Sequence, residues 1–199
     1  MNEHFYGYGS VPHTMQGLEE LVGLELISSD ARTIGTVEGA AIDPSAWAVK
    51  AIRVGLRRGV EKLIDRQKRL FALDRVLIST AHLGRVSDAV IMRQPLTALK
   101  DQLLPEDGEM MPAGAFIGMR VMCGDAVFLG HVDNILIETS EGWRIPFIQV
   151  KLSREAKGQW ERGSGTAAPA LVNVTTQAIG ALGDMVILTL TIDEVRKGS

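Results

Sequence analysis

The sequence is poor in aromatic residues and in cysteine. Phe, Trp and Tyr make up 5% of its 199 residues, within a hydrophobic share of 46%. A core must therefore be built mainly from Val, Ile, Leu, Ala and Met. The single cysteine, Cys123, excludes an intrachain disulfide and suits a reducing compartment, so we expect a cytoplasmic protein. The small net charge of −3 excludes a general attraction to nucleic acid or to anionic membranes.

Long apolar runs and catalytic motifs are also missing. No run approaches the roughly 18 to 20 residues of a membrane-spanning helix, so we expect no membrane insertion, and residues 1–16 are typical of a flexible N-terminal arm. The glycine-rich stretch Gly163–Ala168 lacks the preceding buried strand and following helix of a dinucleotide-binding turn. Four scattered histidines lack the spacing of metal ligands: His4, His13, His82 and His131. We therefore predict no metal, no cofactor and no enzymatic activity.

What the sequence does contain is an internal repeat. Shifting the chain by 95 residues aligns "SDARTIGTVEGAAID" (Ser29–Asp43) with "GDAVFLGHVDNILIE" (Gly124–Glu138). After a one-residue slip, a shift of 96 aligns Trp47 with Trp143 and "HLGRVSDAVIM" with "AIGALGDMVIL". Glycine, aspartate and tryptophan keep their places over most of both halves, so we interpret the chain as a duplication.

Each copy carries several short, β-branched runs separated by Gly, Asp, Pro and Ser, which predicts strands. Because closure removes exposed strand edges, we predict two small β-barrels arranged as a tandem pseudo-twofold repeat, mainly β with few short helices. The segment from Lys100 to Gly114, with two prolines and an acidic cluster, is typical of a linker. The predicted organisation is an arm at 1–16, a first barrel at 17–99, a linker at 100–114 and a second barrel at 115–196.

Six residues at repeat-related positions are predicted to shape turns rather than to catalyse. An aspartate beside a small residue accepts backbone N–H bonds, and a glycine allows a strand to bend. These structural turn residues are Asp30, Gly35, Asp88, Asp125, Gly130 and Asp184.

Both copies resemble the PRC-barrel family, a small β-barrel module. The resemblance rests on "GLELISSDARTIGTVEGAAID" and "GMRVMCGDAVFLGHVDNILIE" and on the two closing phrases given above. It implies a non-enzymatic interaction or scaffold module, as in archaeal cell-division proteins and membrane-associated assemblies. It also implies an archaeal, stand-alone type of protein, in which two fused copies replace a dimer.

The copies differ in their inserts, where we place the candidate contacts. From Lys50 to Arg75 there are nine basic and three acidic residues, a local charge of +6, so the remainder carries −3 − 6 = −9. Such asymmetry can indicate an acidic protein partner or self-association, although a solvated insert, in which Glu61 and Asp65 pair locally, explains it somewhat better. The alternative is a ribosome- or RNA-associated maturation factor, which the shortage of stacking aromatics disfavours. A third hypothesis is a small-molecule groove between the barrels. The candidate contact residues are Arg57, Arg58, Lys62, Arg66, Arg69 and Trp160.

The other two tryptophans leave two interpretations open. Trp47 and Trp143 follow equivalent turns, and each either packs against the end of its barrel or presents an aromatic anchor to a partner. Packing is the interpretation we favour.

Overall fold

The computed structural model describes residues 15–64, 75–105, 110–140 and 142–198. The candidate contacts Arg66 and Arg69, and most of the predicted N-terminal arm, lie outside these residues. The described residues form two compact units. The first-copy unit contains residues 16–114 and 137–145, and the second-copy unit contains residue 15 with 115–136 and 146–198.

The elements up to the first copy's end are mostly short strands. In chain order they are β1 (Met15–Gly17), α1 (Leu18–Leu21), β2 (Glu25–Ile27), β3 (Thr33–Asp43), β4 (Ala48–Leu56), a 3-10 helix (Val60–Ile64), β5 (Arg75–Ser79), a 3-10 turn (Thr80–His82), β6 (Leu83–Val86), β7 (Ala89–Met92), a 3-10 helix (Leu96–Gln102) and β8 (Leu103–Leu104).

The elements that follow repeat this order as far as β15, with no described counterpart of β8. They are β9 (Met111–Pro112), a 3-10 turn (Ala113–Phe116), β10 (Arg120–Met122), β11 (Phe128–Glu138), β12 (Arg144–Leu152), α2 (Arg154–Ser164), β13 (Leu171–Thr175), a 3-10 turn (Thr176–Ala178), β14 (Ile179–Leu182), β15 (Met185–Leu188) and α3 (Ile192–Gly198).

Strand pairing in the two copies is the same. In the first, β2 pairs antiparallel with β3 and parallel with β7, β3 continues to β4 and β4 to β5, and β6 pairs with β7. In the second, β10 pairs antiparallel with β11 and parallel with β15, β12 pairs with β13, and β14 with β15. The order along the sheet also places β11 beside β12. The predicted repeat is therefore a repeat of topology.

The cores are built from repeat-related aliphatic residues. Alternate residues of a strand face opposite sides, so one face of each strand supplies apolar side chains to its core. Six such positions per copy are almost fully buried: Leu26, Ile34, Ile52, Ile78, Val90 and Met92 in the first, and Val121, Leu129, Ile148, Val174, Val186 and Leu188 in the second. The core agrees with a sequence that has few aromatic residues.

The prediction of a mainly β protein with few short helices is confirmed. The prediction that each barrel is fully closed is wrong, because the sheet is not closed. Among the described residues β5 does not pair with β6, and β13 does not pair with β14, since a 3-10 turn joins the two strands of each pair. Part of the predicted linker is folded, since β8 pairs with β5 and β9 pairs with β3. No helix within the described ranges is long and apolar enough to cross a membrane.

The tips of two long hairpins meet within the first-copy unit. Trp47 and Trp143 both have positive φ, 46° and 56°. The Val49 N–H donates to the Trp143 carbonyl at 2.8 Å, and the Ile145 N–H donates to the Trp47 carbonyl at 2.7 Å. Each bond maps onto the other by the 96-residue shift, so the tips are related by a local pseudo-twofold axis. Trp143 is 4% exposed and packs as expected, whereas Trp47 is partly exposed.

Candidate interaction surface

The paired aspartates Asp30 and Asp125 lie in equivalent turns. Ala31 and Ala126, which follow them, adopt left-handed φ values of 59° and 64°. The Asp30 carboxylate accepts the Leu96 N–H at 3.0 Å, and the Asp125 carboxylate accepts the Ile192 N–H at 3.5 Å. Each side chain thus links the first turn of its copy to the helical segment after the last strand. In this position an aspartate stabilises its turn by accepting a backbone N–H.

Local hydrogen bonds favour the ionised form of Asp30. The Ser28 hydroxyl first, and then the Leu96 N–H, hold the pKa of Asp30 below 3.8. The Ser28 hydroxyl donates to the Arg32 carbonyl at 3.0 Å and accepts the Arg32 N–H at 3.1 Å. Arg32 lies 3.6 Å from the carboxylate in an exposed ion pair. A carboxylate held in this way suits a turn better than proton transfer.

The Ser28 position is occupied by Cys123 in the second copy. Both side chains are buried, with exposures of 2% and 1%. Burial first, and the neighbouring Asp125 second, raise the pKa of the Cys123 thiol to about 12. Because the thiolate is the reactive form of cysteine, this thiol is a packing residue and not a nucleophile.

The glycines Gly35 and Gly130 lie where two backbones approach closely. A Cβ at Gly35 would collide with the Gly55 carbonyl oxygen, and one at Gly130 with the Lys151 carbonyl oxygen. Gly130 also has a φ of 155°. These positions need glycine because a side chain would separate the strands.

The remaining turn aspartates, Asp88 and Asp184, are exposed. Asp88 lies between β6 and β7, and Asp184 lies between β14 and β15. In the first turn the Ser87 N–H donates to the Ala89 carbonyl, and in the second the Gly183 N–H donates to the Met185 carbonyl, each at 3.1 Å. Both aspartates therefore occupy tight hairpin turns.

The basic insert of the first copy begins where β4 ends. Arg57 starts a tight turn, since its N–H donates to the Ile34 carbonyl and its carbonyl accepts the Val60 N–H. Gly59 completes the turn with a φ of 100°, and its N–H donates to the Glu61 carboxylate. Val60 and Glu61 are buried and anchor the 3-10 helix. The anchored backbone leaves Arg57, Arg58 and Lys62 exposed.

An apolar side chain accompanies these cations. Leu63, next to Lys62, is 50% exposed. We call Arg57, Arg58, Lys62 and Leu63 the basic turn. Sequence reasoning missed Leu63, because a leucine in a 3-10 helix gives no period from which its exposure follows.

Trp160 requires a correction, because it is 6% exposed and cannot act as a surface contact in this fold. It lies in α2, which is capped by Ser153, whose hydroxyl oxygen accepts the Ala156 N–H at 3.0 Å. Ala156 and Trp160, one helical turn apart, are the buried residues of this helix. The spacing of four residues between Ala156 and Trp160 indicates one buried helical face, although the insert as a whole is polar.

Exposed aliphatic side chains recur at repeat-related positions. Val22 and Ile117 are 46% and 42% exposed, and Ile91 and Ile187 are 36% and 42% exposed. The 95- and 96-residue shifts relate the members of each pair, which the sequence alignment alone did not single out. Within the described ranges, no group of three or more His, Cys, Asp or Glu side chains could hold a metal ion.

No protein-family model matches the sequence, and no curated protein matches it. A solved structure described as a 16S ribosomal RNA processing protein, RimM, from Pseudomonas aeruginosa is similar over 80% of this chain and 97% of its own. The identity is 11% and the TM-score is 0.30, a level that supports no conclusion about fold or function.

Proposed function

We propose that the chain is a non-enzymatic interaction module that docks an acidic protein surface through the basic turn. The observation that carries this proposal is the combination of Arg57, Arg58 and Lys62 with the half-exposed Leu63 on one anchored turn. An apolar contact within a polar, charged rim is the usual anatomy of a protein interface.

The second copy provides an internal reference for this turn. At the equivalent place it has α2, whose three basic and two acidic residues nearly cancel, and whose tryptophan is buried. The same fold thus accommodates a balanced, compact insert. The second copy thus has the same strand pairing without an exposed basic turn, which supports a role in binding for the basic turn.

The competing function is binding of RNA. It would use the same cations, because phosphates attract any basic patch. Residues 57–64 contain no aromatic side chain on which a base could stack. Leu63 therefore favours a protein partner over RNA.

The resemblance of the sequence to PRC-barrel proteins supports the same class of function. We propose membership of that family on the quoted phrases and on the identical strand topology of the two copies. From the resemblance alone, we propose as a setting a cytoplasmic archaeal assembly of the cell-division or membrane-associated type.

Two acidic helical peptides and an oligouridine RNA provide the test. The peptides carry the same negative charge, but one has a leucine face and the other has serine at those positions. We expect the leucine peptide to bind most tightly, because it meets both the cations and Leu63. The variant R57E/R58E/K62E should lose at least about tenfold in affinity for both peptides, since three attractive contacts become repulsive.

Matched controls separate this function from general charge effects. The variant R154E/K157E/R162E makes the same charge change in α2 and should bind the peptides as the wild type does. Leu63→Ser should abolish the preference for the leucine peptide and leave the serine peptide unaffected. Tighter binding of oligouridine than of either peptide, lost in R57E/R58E/K62E, would replace this proposal by the RNA function.

A further inference from the structure

The strand β2 lies at the centre of three paired strands of the first copy. It pairs with β3, with Glu25 opposite Thr36, and with β7, with Ile27 opposite Ile91. Residues directly opposite one another project from the same side of a sheet, and alternate residues project from opposite sides. The side away from the buried Leu26 therefore carries six exposed or half-buried residues, which we call the first-copy face: Glu25, Ile27, Thr33, Thr36, Ala89 and Ile91.

The strand β10 has the same place in the second copy. It pairs with β11 and with β15 in the same register. Each position of the first-copy face therefore has a counterpart, related to it by the 95- or 96-residue shift. We call these counterparts, which are likewise exposed or half-buried, the second-copy face: Arg120, Met122, Phe128, His131, Met185 and Ile187.

The two faces differ in the size of their side chains. Phe128 stands where the first copy has Thr33, and Met185 stands where it has Ala89. Because the strands pair alike, the second-copy face is the bulkier of the two and the first-copy face has more room above its sheet. Methionine is also flexible enough to fit an irregular partner surface. The bulky face therefore complements the smaller one in shape.

The two faces also carry opposite charges on their central strands. Glu25 of β2 is exposed, and its counterpart on β10 is the exposed Arg120. The Cζ atom of Arg120 lies 5.3 Å from the centroid of the Phe128 ring. The His131 and Phe128 rings meet edge to face, with centroids 5.2 Å apart and planes at 84°. A guanidinium held over an aromatic ring loses less freedom when it pairs with a carboxylate, so Arg120 is pre-organised for an acidic partner group.

We propose that the first-copy face of one molecule binds the second-copy face of another, so that the occupant of each face is a second copy of this chain. In this contact Arg120 pairs with Glu25 of the other molecule. Ile91 and Ile187, which are 36% and 42% exposed, are removed from water beside that pair. None of these residues belongs to the basic turn, so the contact does not depend on the proposed function.

The charges disfavour contacts between like faces. Two second-copy faces would bring Arg120 against Arg120, and two first-copy faces would bring Glu25 against Glu25. Like charges opposed across an interface weaken it, whereas complementary charges select the partner surface. The contact is therefore heterologous, since it joins different surfaces of two molecules.

Analytical ultracentrifugation of the full chain over a range of concentrations tests the contact. The wild type should self-associate. The variants E25R and R120E each place like charges on the two central strands, and each should weaken self-association by at least about tenfold. Ile187→Ser should also weaken it, because apolar area is lost from the second-copy face. Circular dichroism shows that each variant remains folded.

A charge exchange separates this contact from any other. E25R has two basic faces and R120E has two acidic faces, so an equimolar mixture of these variants should associate as the wild type does. The double variant E25R/R120E should also self-associate, because its charges are exchanged and not removed. E155R and R154E change the same charges at exposed positions of α2 and should leave association unchanged.

Three results would overturn the proposal. The first is a wild type that stays monomeric up to about 1 mM. The second is association that E25R and R120E leave unchanged. The third is a mixture of these variants that fails to restore an association which each has lost. If the wild type is monomeric and R120E abolishes its binding of the acidic leucine peptide, the second-copy face binds a different protein.

Discussion

The inserts of the two copies occupy the same place in the fold and use it differently. The first-copy insert follows β4 with a 3-10 helix that leaves Arg57, Arg58 and Leu63 exposed. The second-copy insert follows β12 with α2, which buries Trp160. The shared strand topology therefore tolerates both an exposed charged turn and an additional piece of core. Identical topology does not imply identical use of a surface.

The difference between the two inserts is tested most directly by truncating the large apolar residue in each of them. Trp160→Ala should destabilise the second copy by about 3–5 kcal/mol, because it leaves a cavity beneath α2. Leu63→Ala should change stability by no more than about 0.5 kcal/mol, because the side chain is half exposed. Chemical denaturation followed by circular dichroism measures both. Equal effects of the two substitutions would contradict the assignment of one insert to the core and the other to the surface.

The glycines Gly35 and Gly130 allow the strands of the two copies to be compared by the stability cost of a substitution. Gly130→Ala should cost at least about 3 kcal/mol, since its Cβ would collide with a backbone oxygen that cannot rotate away. Gly35→Ala should cost less, because only Gly130 combines the close approach with a positive φ. Gly39→Ala, in open space on β3, is the control and should stay within about 1 kcal/mol of the wild type. A loss at Gly39 equal to that at Gly130 would show that the strands need glycine for another reason.

The smallest expected difference is between the two turn aspartates. The pKa of Asp30 is lower in the folded protein than its ordinary value of 3.8. Its stabilising effect is therefore complete above that value and is lost as the pH falls through the folded pKa. Asp30→Asn should thus lower the denaturation midpoint at neutral pH, and the difference from the wild type should shrink below pH 3.8. Asp125→Asn should have a smaller effect at neutral pH, because its bond to Ile192 is longer.

The sequence predicted a mainly β protein with repeat-related turns, because these turns carry residue types with narrow conformational roles. Asp30 with Asp125 and Gly35 with Gly130 mark the same turn and the same close approach in both copies. The conformation of a turn depends on a few neighbouring residues, so it can be predicted from the sequence.

The errors concern strand pairing and burial. Closure of the barrels was expected from the general cost of free edges, but β5 and β6 are joined by a 3-10 turn and do not pair with each other among the described residues. Trp160 was interpreted from the polar composition of its neighbours, and the helical spacing to Ala156 decided its burial instead. Leu63 belongs to no periodic apolar pattern, so its exposure could not be predicted from the sequence.

The contact between the two hairpin tips limits where the chain can be truncated. The repeat boundary lies near residue 114, yet residues 137–145 of the second copy belong to the first-copy unit. A cut at the repeat boundary would remove the Trp143 carbonyl from the Val49 amide and the Trp47 carbonyl from the Ile145 amide. The predicted repeat and the compact unit are therefore offset along the chain, and a fragment that ends near residue 114 lacks residues 137–145 of the first-copy unit.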